Sequence, residues 1–255
     1  MKTRITIFGA GGFLGSQVSS YFESLGFEVT RLSSSLKHVS SPQYFSVEDP
    51  RILKDLTPPN FIVYLSWSTE RAPRTQRLSF LTATQVSKWA KEHNVKALFI
   101  SSLAAESAVP RSNYGRYKKF AEKVFLLDGH VVIRPATVTS EGIEGGSALR
   151  SLANLPTPIR YLMGIFSPIT FPIVELNIFL SEASNSLRDN SLNPLRSVIS
   201  GERVAFARSR FISFCLPKNV IFLLAHWLPH GIRDRLLTLQ DLDSSYWASN
   251  KRPCP

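Results

Sequence analysis

The chain is poor in several residue types, and each shortage excludes a class of protein. Its only cysteines are Cys215 and Cys254. They sit in unlike contexts and cannot make a disulfide scaffold or a thiolate metal cluster. No metal site is expected, and a reducing, cytoplasmic location fits better than a secreted one. Uninterrupted apolar runs are short. The longest candidate, SPITFPIVELNIFL, is broken by Pro172 and Glu175, which argues against an integral membrane segment. The opening MKTRITIFGAGGFLG breaks at glycines and resembles a buried strand more than a signal sequence. Acidic residues are also scarce, 19 against 30 Lys and Arg, for a formal charge of +11. That excess is spread along the chain: residues 1–130 hold 17 basic and 10 acidic side chains, and residues 131–255 hold 13 and 9. With no basic tail, repeat or base-reading module, the field suits an anionic small molecule better than nucleic acid.

At 255 residues and 44% hydrophobic, the chain can close one large α/β core with a modest appendage. Strands are expected at TRITIF (3–8), FEVTRL (27–32), FIVYLS (61–66), VKALFISS (95–102) and HVVIRP (130–135). Between them, helical spacing covers roughly 13–25, 76–93 and 113–127. Strands alternating with crossover helices give a doubly wound parallel sheet. After Pro135 the rhythm loosens, with helices expected near 147–154, 174–187 and 218–228 and a strand within 204–214. Residues 1–140 are therefore expected to form a dinucleotide-binding core. Residues 141–255 are expected to add the end of the sheet and a small substrate-side subdomain that is not an independent domain.

Two motifs carry chemistry. In FGAGGFLG, Gly9, Gly12 and Gly15 follow a strand and precede a helix. Small residues there bring a helix amino terminus close to a diphosphate, whose charge is met by free N–H groups. The second strand carries no terminal carboxylate; it has Arg31, followed by Ser33. An arginine can pair with a 2′-phosphate, so NADP is expected over NAD, although NAD stays open and a solvated strand-end arginine is the plainer alternative. The second motif is in SNYGRYKKFAEK, where Tyr114 and Lys118 are four apart on one side of a helix. A phenol is a poor base near neutrality, and a neighbouring ammonium favours its ionised form. Ser101 or Ser102, at the carboxyl end of the preceding strand, could hold a substrate oxygen beside the phenol. Tyr117, Lys119 and Lys123 are expected to pack or to face solvent.

GAGGFLG, FISSLAAES, YGRYKKFAE and RPATV together resemble the short-chain dehydrogenase/reductase superfamily, in its extended branch of NAD-dependent epimerases and dehydratases acting on nucleotide sugars. The resemblance covers residues 3–140 well and the remainder loosely. It implies a Rossmann fold, with Tyr114 as acid/base, Lys118 at the nicotinamide ribose and Ser102 as the catalytic hydroxyl. It also implies a cofactor-binding set of Gly9, Gly12, Phe13, Leu14, Gly15, Arg31, Ser33, Leu65, Ser66, Lys118, Arg134, Pro135 and Ala136. Asn177 stands where relatives carry an aspartate. The loop SWSTERAP departs from the plainer turn of relatives, so Trp67 and Arg71, with Ser102 and Tyr114, are expected to shape the substrate pocket. The resulting expectation is an NAD(P)-dependent enzyme acting on a hydroxyl or ketone of a small molecule, such as a nucleotide sugar, with a homodimer left open. A divergent NADP-dependent carbonyl reductase and a non-catalytic dinucleotide-binding interaction protein are the alternatives.

Overall fold

A computed structural model of the protein describes residues 2–34, 43–46, 53–139, 170–188 and 194–204, and also 230, 233–235, 237–238 and 241–242. The expected helices at 147–154 and 218–228, both cysteines, and the expected strand beyond Val204 lie outside these residues.

Seven parallel strands make one sheet, its interior strands built from apolar, β-branched runs and its two edges from short polar ones. The seven are β1 (Arg4–Phe8), β2 (Glu28–Ser33), β3 (Gln43–Tyr44), β4 (Phe61–Tyr64), β5 (Lys96–Ile100), β6 (Val131–Pro135) and β9 (Leu195–Val198). Their spatial order is β3-β2-β1-β4-β5-β6-β9. The pairings β1–β2 and β1–β4 are both parallel, so the order turns back at β1. Such a reversal opens a crevice beyond the carboxyl ends of the strands.

Side chains alternate between the two faces, as the strand period of two requires. Ile5, Ile7, Val63, Leu98, Ile100 and Ile133 join one apolar layer, in which α1 (Phe13–Ser24) contributes Val18 and Phe22 and α4 (Leu176–Arg188) contributes Phe179 and Ala183. Phe8, Ile62, Tyr64, Phe99 and Val132 join the other, against Ala83, Val86 and Ala90 of α2 (Pro73–Glu92) and Ala121 and Phe125 of α3 (Asn113–Leu127). Both faces are therefore covered, and the sheet is doubly wound as expected. Burying each of these large side chains contributes roughly 1.5–3 kcal/mol, so the crevice sits on a stiff base.

Helix ends follow local chemistry. Pro73 opens α2, a position where its missing N–H costs nothing, and Gly26 and Gly129, with φ near +84° and +83°, follow α1 and α3. The Ser112 hydroxyl caps α3 by accepting from the Gly115 N–H at 2.9 Å. Beyond the main sheet, β7 (Thr137–Thr139) pairs in parallel with β8 (Thr170–Glu175), and β8 pairs antiparallel with β10 (Gly201–Val204).

Candidate active site

The crevice begins at the glycine turn. Gly9 leaves β1 with φ +88°, and a Cβ there would stand 2.8 Å from the Ser66 backbone nitrogen. Its N–H donates to the Leu32 carbonyl at 2.8 Å, and the Leu65 N–H donates to the Phe8 carbonyl at 2.9 Å. The turn is thus wedged between the ends of β2 and β4. At Gly15 a Cβ would lie only 2.0 Å from the Gly9 carbonyl oxygen, so α1 can approach the turn only without a side chain. Gly12 is the N-cap of α1, which has neither a side-chain cap nor an acidic residue in its first turn. The N–H groups of Phe13 and Leu14 lack acceptors within the helix, and the first turn of α1 holds no carboxylate of its own to offset the positive helix end. A dinucleotide diphosphate fits this cradle in shape and charge.

Nearby, Arg31 is held by Glu23 of α1 at 2.5 Å, while Ser33 is buried and Ser34 exposed. The described end of β2 therefore carries hydroxyls where a carboxylate would repel a 2′-phosphate.

At the end of β5, Ser101 is buried and its hydroxyl has no hydrogen-bond partner among the described residues. The half-buried Ser102 accepts from the Ala104 N–H at 3.3 Å, capping a short 3₁₀ turn over Leu103–Ala105. The first turn of α3 carries the half-buried Tyr114, and one turn later Lys118 is buried. The Lys118 ammonium donates to the Ile100 carbonyl at 2.8 Å. It stands 4.3 Å from the Trp67 ring, 4.7 Å from Phe99 and 5.9 Å from Tyr114. Burial pulls its pKa from the ordinary 10.5 to about 7; Glu122 opposes that fall and Arg71 adds to it.

The loop after β4 is organised around Gln76 of α2, which is fully buried. Gln76 accepts from the Trp67 indole N–H at 2.7 Å and donates to the carbonyls of Ser68, at 3.2 Å, and Glu70. This scaffold sets Trp67 edge-on to Tyr114, with centroids 6.4 Å apart, and buries Arg71 so that its guanidinium carbon lies 4.0 Å from the Tyr114 ring centroid. Burial lowers the pKa of Arg71, against the attraction of Tyr114 and Asp234. Trp67, Arg71, Tyr114 and Lys118 are thus brought together. Arg134, by contrast, is committed to Glu122 through a bidentate pair at 2.9 and 2.6 Å, with Pro135 and Ala136 buried behind it. Its contribution beside a cofactor would be to fix α3 to β6. Tyr117 packs with Phe80 and Phe120, and Lys119 donates to the Ser107 and Ala108 carbonyls. Asn177 is exposed in α4.

Two residues that the sequence did not single out complete the frame. Asp241 accepts from the Arg111 N–H at 2.7 Å, the Ser112 N–H at 2.9 Å and the Ser112 hydroxyl at 2.5 Å. Asp234 accepts from the Asn113 N–H at 2.6 Å. Both carboxylates clamp the residues immediately before Tyr114 from more than 120 positions away, a contact with no local signal. Glu122 was more accessible to sequence reasoning, since it falls one helical turn after Lys118.

No family model matches the chain, and no curated protein matches it in sequence. Solved structures do match. UDP-N-acetylglucosamine 4-epimerase from Bacillus cereus superposes with a TM-score of 0.61 at 13% identity, over 94% of this chain and 99% of that one. WbmG from Bordetella bronchiseptica, in complex with NAD, gives 0.63 at 17%, over 98% and 95%. L-threonine 3-dehydrogenase from Trypanosoma brucei gives 0.64 at 13%, over 80% and 78%. The chain has the Rossmann fold of these enzymes. Within that Rossmann fold, the glycine turn and Tyr114 lie at the carboxyl-terminal side of the parallel sheet, where open α/β sheets hold their ligands. Among the described residues no helix is long and apolar enough to cross a membrane.

Proposed function

We propose that the chain is an NAD(P)-dependent oxidoreductase of the extended short-chain dehydrogenase/reductase type, acting on a hydroxyl or ketone of a small molecule such as a nucleotide sugar. The observation that carries this reading is the shared crevice: a turn closed to any side chain at Gly9 and Gly15, and a tyrosine flanked by Lys118 and Arg71. Gly9, Gly12, Gly15, Phe13 and Leu14 would hold the diphosphate, with Leu65 and Ser66 beside it. The bound dinucleotide supplies hydride acceptance and return.

The remaining work belongs to this chain. Tyr114 takes the proton of a substrate hydroxyl, or returns it to a ketone oxygen, and the Ser102 hydroxyl donates a hydrogen bond to that oxygen. Lys118 spends one of its three donors on Ile100 and, when protonated, keeps two for a ribose or a substrate oxygen. Trp67 walls the pocket at the tyrosine edge and excludes water. NADP is favoured over NAD because the described end of β2 carries Ser33 and Ser34 and no carboxylate; Arg31 would have to leave its pair with Glu23 to reach a 2′-phosphate. An epimerase and a one-way reductase would use the same side chains, and residues 141–255 would decide between their substrates.

Replacing Tyr114 with Phe is expected to lower turnover on a panel of sugar nucleotides and carbonyl compounds by about 10²- to 10⁴-fold, with dinucleotide affinity nearly unchanged. Turnover equal to that of the native chain would reject the assignment.

A further inference from the structure

A tyrosine that exchanges protons needs a positive charge that persists across the working pH. Lys118 meets that need poorly in this molecule. Its ammonium is drawn to the Ile100 carbonyl and to the faces of Trp67 and Phe99, and lies 5.9 Å from the Tyr114 ring centroid. It is also buried enough to lose much of its charge near neutrality. The Arg71 guanidinium carbon lies at 4.0 Å, and a guanidinium stays protonated throughout the range in which enzymes work. Its place is built: Gln76 binds the Ser68 and Glu70 carbonyls just before it, and the side chain is 8% exposed.

We infer that Arg71 is a positioning residue for Tyr114, whose guanidinium, stacked on the phenol ring, supplies the lasting positive charge against which that side chain gives up and recovers its proton. This rests on the proposed role of Tyr114 as acid/base. In the oxidative direction the substrate O–H bond breaks and its proton joins the Tyr114 oxygen, the hydride of the adjacent C–H bond would pass to the oxidised dinucleotide, and the negative charge of the phenolate is discharged beside Arg71. In the other direction the phenol O–H breaks and the charge reappears there. The groups acting on this pair come from three elements: Lys118 from α3, with Glu122 behind it, Arg71 from the loop after β4, and Asp234 and Arg235 from the carboxyl-terminal segment. Asp234 attracts Arg71 and Arg235 repels it, so the lasting charge beside the ring is that of Arg71, trimmed by these neighbours.

The test needs no substrate. The full chain is titrated by near-ultraviolet phenolate absorbance in the native form and in Arg71→Met, Arg71→Gln and Arg71→Lys, each with and without Tyr114→Phe, so that the difference isolates Tyr114. An opposite charge beside an ionising group favours its charged form, so the Tyr114 component is expected at higher pH in the Met and Gln variants than in the native chain, with Lys between them. If Met does not fold, Gln carries the same expectation alone. An unmoved component, or a Lys variant shifted as far as the neutral ones, would overturn the inference. The catalytic reading fails on a different observation, unchanged turnover in Tyr114→Phe, so the two failures are separable.

Discussion

At the scale of single residues, the placement of Tyr114 and Lys118 on one side of a helix was legible from their spacing, because side chains four apart share a side, and the glycine turn and strand-end serines singled that pair out. The environment of that lysine was not legible. Trp67 comes from the loop after β4, and Phe99 and the Ile100 carbonyl come from the end of β5, and together they hold a buried ammonium whose pKa falls to about 7. The stability consequence has a definite sign. Between about pH 7 and 10.5 the unfolded chain binds more protons at Lys118 than the folded one, so this group makes the fold more stable as pH rises through that window. Below about pH 7 its penalty is complete. Lys118→Met is accordingly expected to gain stability over the native chain near pH 6, an advantage that fades towards pH 10. Urea unfolding at the two pH values measures it, and a difference independent of pH would refute the charge state assigned to Lys118. The Arg71 contact with Tyr114 was half visible. Its loop stood out as unusual, but its stacking depends on Gln76, which is buried and acts from nine residues beyond Trp67.

At the scale of elements, long apolar strands and amphipathic helices were legible because their periodicities are strong. β1, β2, β4, β5 and β6 and helices α1 to α3 fall where those patterns place them. The two-residue β3 and the four-residue β9 escaped, since LRSV has one charge and one hydroxyl in four positions and edge strands need no apolar run. The start of α3 is the element on which the site depends most. Its cap is made by Ser112, and Ser112 is in turn held by Asp241 at two points. Asp241→Ala removes the carboxylate that accepts three hydrogen bonds, two of them from the buried Ser112, and is expected to cost about 1–3 kcal/mol, read as a lower unfolding midpoint together with loss of turnover. Stability equal to the native chain would show that the carboxyl-terminal clamp carries no weight. No pattern around residue 241 announces this role, because a helix cap supplied from a distant segment leaves no periodic trace.

At the scale of the whole molecule, the reversal of strand order between β2-β1 and β1-β4 places a crevice over the Gly9 turn, and the positive field of the chain serves an anionic ligand there. The likeness to solved Rossmann enzymes runs over nearly the full chain at identities of 13–17%, which is the level at which shape survives and pocket chemistry diverges. The SWSTERAP loop gives this crevice a buried arginine. The proposed function requires a dinucleotide seated where Gly9 and Gly15 leave no room for a side chain. Calorimetric titration of NADP, and separately of NAD, into the native full chain and into Gly15→Ala tests this most directly. One dinucleotide per native chain is expected, with binding lost or weakened by at least about tenfold in the variant while its circular dichroism stays native, because the added Cβ would meet the Gly9 carbonyl oxygen at 2.0 Å. A native chain that binds neither dinucleotide, or a folded variant that binds as tightly as the native chain, would contradict the account.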